Sequence, residues 1–105
     1  MVPYGEVFTA ERIDERFVLT WKDKIYTAYV FVSDDNSPLF GARFGQIKNT
    51  EYPQNAPDRI YLVVGQPPEK WVISRSMSLM GFHVVYKEDS VTEIPPEIAA
   101  LETIL

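Results

Sequence analysis

From residue 16 onward, apolar runs alternate with short polar breaks at intervals that read as strands and turns. Phe17 to Trp21 and Ile25 to Val32 are β-branched and aromatic runs around Lys22-Asp23-Lys24, the pattern of a β-hairpin. The second run is apolar or aromatic at nearly every position, which predicts a central strand with both faces covered, or with one face free for a partner. Ser33 to Pro38 gathers turn-forming side chains and ends that strand. Between Leu39 and Lys48, Phe40, Ala42 and Phe44 alternate with Gly41, Arg43 and Gly45. That period of two predicts a third strand whose glycines mark a bulge or the close approach of another backbone. Asn49 to Asp58 carries Pro53 and Pro57 and reads as a loop, and Arg59 to Val64 as a fourth strand ending at Gly65.

Pro67, Pro68 and Glu69 stand where a helix would start, with Val72, Ile73, Met77 and Met80 on one stripe behind them. An amphipathic helix is therefore expected over 68–80, closed by Gly81. His83 to Tyr86 reads as a short strand, Lys87 to Thr92 as a polar loop, and Pro95-Pro96-Glu97 as the start of a last helix with Ile98, Leu101 and Leu105 on one face. Residues 1–15 show no long period and read as a lead-in. The fold class expected is α+β: an antiparallel four-stranded meander over 16–64, an amphipathic helix packed on one face, a short closing strand and a C-terminal helix.

The 105 residues suit one domain, and 46% hydrophobic content supplies a core. The absence of cysteine removes disulfides, thiolate metal sites and thiol nucleophiles. Ten Lys and Arg against 15 Asp and Glu make the chain acidic, net −5, which counts against nucleic acid as a partner. The basic residues are thinly spread, with no basic arm. Neither a secretory signal nor an apolar run of about 20 residues is present, so a cytoplasmic protein away from the membrane is expected.

Tyr52-Pro53-Gln54-Asn55-Ala56-Pro57 is a doubly proline-bounded loop between strands, preceded by Ser37-Pro38-Leu39-Phe40-Gly41-Ala42-Arg43-Phe44. Over residues 16–65 this order resembles the ubiquitin-conjugating (E2-like) and RWD superfamily, whose meander carries a YPxxxP turn. That resemblance implies a cysteine-less, non-catalytic protein-interaction module without a cofactor, in which Tyr52, Pro53 and Pro57 shape the loop. Exposed aromatics of the second strand, Tyr26, Tyr29 and Phe31, are the candidate contacts to a protein partner or a second copy. Asp34 and Asp35 followed by Gln46-Ile47-Lys48 resemble instead the magnesium-dependent PD-(D/E)XK nucleases, in which acids hold the metal and a lysine helps activate water. The ten proline-bearing residues between Lys48 and Arg59 leave no room for the helix which that fold needs. A third reading is a small inhibitor or accessory protein of viral or mobile-element origin, whose acidic surface mimics nucleic acid. His83, the single histidine, reads as a packing residue at a strand start.

Overall fold

The computed structural model describes residues 5–14, 16–32, 38–49, 59–75 and 83–100, and among these the chain forms seven strands and one short helix. The strands are β1 (Glu6–Ile13), β2 (Arg16–Trp21), β3 (Lys24–Val32), β4 (Phe40–Asn49), β5 (Arg59–Val63), β6 (Trp71–Arg75) and β7 (His83–Glu88), and the helix is α1 (Pro96–Ala99). The expected β2–β3 hairpin is present. Lys22 and Asp23 turn it with φ of 49° and 63°, the pair of left-handed residues that matches the twist of a two-residue hairpin.

The strands close into a barrel in the order β1-β2-β3-β7-β6-β5-β4. Every neighbouring pair is antiparallel except β1 and β4, which run parallel and form the seam. Gly45 permits this seam, because a Cβ there would stand 2.2 Å from the Glu6 carbonyl oxygen. The close backbone approach expected of the β4 glycines is thus met at Gly45, and the β4–β5 register shifts on both sides of Arg43.

Two apolar clusters lie on opposite faces of the strands. One takes Phe8, Leu19, Trp21, Tyr26, Ile47, Ile60 and Val72, with Phe44 and Tyr86 packed against it, and so draws on all seven strands. It fills the barrel. Phe8 and Trp21 stack at 5.0 Å, and Phe44 meets Trp21 edge-on at 5.4 Å. The other cluster joins Val30, Val32, Val63, Trp71, Ile73 and Val85 with Leu39 and with Ile98 from α1. Because Val72 belongs to the first cluster while Trp71 and Ile73 belong to the second, β6 is buried on both faces.

This arrangement corrects the α+β expectation. The segment 71–75 is a strand, not the first half of an amphipathic helix over 68–80, and residues 76–80 with Met77 and Met80 lie outside the described residues. A strand covered on both faces loses its period of two, so its unbroken apolar run carries no mark that separates it from a buried helix. Pro67 does nucleate a turn, its carbonyl accepting from the Lys70 and Trp71 amides, and the chain then extends. The supposed lead-in holds β1, which closes the barrel. The four-stranded meander is interrupted as well, since β7 lies beside β3 where β4 was expected. A closed, almost wholly β barrel with one short helix is not the helix-bearing E2-like or RWD fold, and that resemblance is overturned. Among the described residues no helix is long and apolar enough to cross a membrane.

Candidate functional site

Arg43, Arg59 and Arg75 stand 16 residues apart from one to the next in the sequence and on three successive strands in the sheet. Register places Arg43 opposite Tyr61 and Arg59 opposite Arg75, so the four side chains share one face of β4, β5 and β6. The hairpin geometry thus gathers basic residues that look scattered along the chain. All four are half-buried. The face continues along β4 through Gln46, opposite Arg59, to Lys48, and both of these are exposed.

Tyr61 is the centre of this group. Arg59 and Arg75 each donate a hydrogen bond to its hydroxyl oxygen. Burial alone would raise the phenol's pKa, but those two bonds and the two guanidinium charges outweigh it and hold the pKa below the ordinary tyrosine value. Two arginines directly opposite each other repel, which weakens a cross-strand pair unless neighbouring groups offset it. Phe40 closes one side of the site, with its ring edge-on to Tyr61 at 5.5 Å and to His83 at 5.5 Å. His83 is buried against this wall, in keeping with a packing role.

The aromatics of β3 have divided positions. Tyr26 is fully buried inside the barrel, where its hydroxyl donates to the Pro68 carbonyl at 2.8 Å and ties β3 to the β5–β6 turn. Tyr29 is half-buried, edge-on to Trp71 at 5.4 Å. Only Phe31 of the three reaches the surface, at 50% exposure. The register shift between Ala28 and Val30 separates these roles, moving the strand's inward positions from the barrel filling to the second cluster. Tyr52, Pro53, Pro57, Asp34 and Asp35 lie outside the described residues. Among the described residues no group of three or more His, Cys, Asp or Glu side chains could hold a metal ion.

A concave region of about 540 Å³ lies elsewhere, between the β5–β6 turn and the segment leading to α1. Lys24, Glu69, Lys70, Trp71, Glu93 and Ile94 line it, mixing both charge signs with apolar surface. It selects no single ligand charge, whereas the arginine face does.

No family model, curated protein or solved structure matches this chain. Sequence reasoning missed the arginine face because it depends on register: residues 43, 59 and 75 meet only if 59–63 and 71–75 are both strands of one hairpin.

Proposed function

We propose that the protein is a binding module that engages an acidic partner protein through the face of β4, β5 and β6 bearing Arg43, Arg59 and Arg75. The carrying observation is Arg59 set directly opposite Arg75, with Arg43 opposite Tyr61 on the same face, on a chain whose net charge is −5. Three arginines brought by register onto one face of a chain that is acidic overall form a surface suited to an opposite charge. Arginine and tyrosine are also the residues that dominate protein interfaces. Barrel closure supports the same reading, because a sheet whose strands all have two neighbours offers no free edge to a partner's strand and must be met on a face.

Capture from cell extract with wild-type protein and with an Arg59→Glu, Arg75→Glu double variant tests the proposal. Wild type should retain one or more acidic proteins that the variant loses, and raising the salt to about 0.5 M should weaken their retention, as screening requires. Identical sets of captured proteins for both would overturn it, provided that circular dichroism shows the variant folded.

A further inference from the structure

The cleft of about 540 Å³ between the β5–β6 turn and the segment leading to α1 has the size of a ligand site, and one of its walls is main chain. Thr92, Glu93 and Ile94 line it and belong to neither helix nor sheet. Among the described residues their peptide N–H and C=O groups form no hydrogen bond. Ile94 stands before Pro95, which confines it to extended backbone, and Pro95 continues the extension with φ −59° and ψ 146°. The wall is fixed at both ends. Before it, the Lys87 ammonium donates to the Val91 carbonyl at 2.8 Å, and the buried Glu88 carboxylate accepts from the Ser90 amide and hydroxyl. After it, the Pro95 carbonyl accepts from the Ile98 and Ala99 amides, and Ile98 is buried in the second cluster. Main chain held in this way loses little freedom when another chain lies along it.

The charged lining is balanced, Lys24 and Lys70 against Glu69 and Glu93, and among the described residues none of the four forms an ion pair. Val91 and Ile94, packed on the second cluster beside the buried Trp71, supply the apolar part. A simple anion or cation meets as many like charges here as opposite ones. A net-neutral peptide with side chains of both signs meets a complement for each, and its own N–H and C=O groups match those of the wall. We propose that this cleft receives an extended segment of a partner protein, which hydrogen-bonds to the main chain of residues 92–94 and sets basic side chains against Glu69 and Glu93 and acidic ones against Lys24 and Lys70. The barrel strands each have two neighbours, so this wall outside the sheet is where main chain is left to pair. The inference does not rest on the arginine face: Arg59 and Arg75 stand at the open end of the β5–β6 hairpin and the cleft at its turn.

The test is an amide-resolved NMR titration of the full chain at constant ionic strength with four probes: a capped peptide Val-Lys-Val-Glu-Val, the same peptide N-methylated at every residue, a capped Val-Glu-Val-Glu-Val, and free valine as a small zwitterion. The net-neutral peptide at about 1 mM should shift the Thr92, Glu93 and Ile94 amides and the Trp71 indole N–H. N-methylation removes the peptide's main-chain donors and should weaken binding about tenfold, and the glutamate peptide should bind about tenfold more weakly as well. Lys70→Ala, at an exposed position, should weaken the net-neutral peptide by about three- to fivefold, whereas Lys48→Gln, on the arginine face, should leave its affinity unchanged. Absence of any shift at about 10 mM peptide overturns the site. Equal affinity for the N-methylated peptide overturns main-chain pairing, and equal affinity for the glutamate peptide overturns the charge match. Shifts of the same amides by free valine assign the cleft to a small zwitterion, and shifts that follow protein concentration without peptide assign it to a second copy; either overturns the partner segment. Shifts confined to the Arg59 and Arg75 amides overturn the location.

Discussion

At the scale of single residues, the two tyrosines with displaced pKa values make opposite statements about alkaline stability. Burial, and then the charges of Glu88 and Glu69, push the Tyr26 phenol well above its ordinary value. The folded chain therefore holds that proton while the unfolded chain releases it near pH 10, so the Tyr26 contribution is full below about pH 10 and is lost as pH rises beyond it. Tyr61 has the reverse sign: its lowered pKa adds stability only at alkaline pH, and that contribution is gone once pH falls below its folded value. Tyr26→Phe keeps the ring but removes the bond to the Pro68 carbonyl, which should cost about 0.5–1.5 kcal/mol at pH 8. Urea denaturation at pH 8 and pH 11 should show the gap to wild type narrowing at the higher pH. A constant gap would mean that burial of the phenol does not control its ionisation.

At the scale of elements, legibility followed how many faces of a strand are covered and how much of its inward face is apolar. The β2–β3 hairpin, β4, β5, β7 and the start of α1 stand close to where pattern and turn chemistry place them. β6 failed because both of its faces are buried. β1 failed for the opposite reason. The face that carries Phe8 and Ala10 into the barrel also carries Glu6, whose carboxylate accepts from the Trp21 indole at 2.9 Å, while Val7 on the other face is exposed. A strand that turns an acid inward and a valine outward does not announce its period. The candidate site is illegible for a related reason: it needs β5 and β6 in register, and the pattern over 68–80 reads as a helix. The β2–β3 turn offers the cleanest test of an element in isolation, because Lys22 and Asp23 both occupy left-handed backbone without being glycine or asparagine. Replacing the pair with Asn-Gly should stabilise the barrel by about 1 kcal/mol, seen as a higher denaturation midpoint with unchanged slope. No gain would imply that the Lys22 contacts, 4.9 Å over the Trp21 ring and 3.9 Å from Glu6, already offset the strain.

At the scale of the whole molecule, closure depends on one backbone contact. A Cβ at Gly45 meets main-chain atoms of Glu6, not the tip of a movable side chain, so Gly45→Ala must separate β1 from β4. The expected result is a loss of more than about 3 kcal/mol, at the severe end of single substitutions, together with exposure of edges on β1 and β4 and a tendency to associate. Denaturation and light scattering check both. An alanine variant that remained monomeric and lost less than about 1 kcal/mol would show that the seam is not what holds the barrel shut.

The order of the strands also sets when the barrel can exist during synthesis. β3 is paired on one side with β2, its neighbour in sequence, and on the other with β7, so that Tyr26 meets Glu88. β1 likewise waits for residues 45–49. Both joins close long loops, the kind of contact that slows folding. A nascent chain carrying β1 to β3 holds two incompletely paired strands, β1 and β3, until β4 and then β7 emerge from the ribosome. Apolar β3 is thus the segment for which a chaperone on the growing chain would matter most.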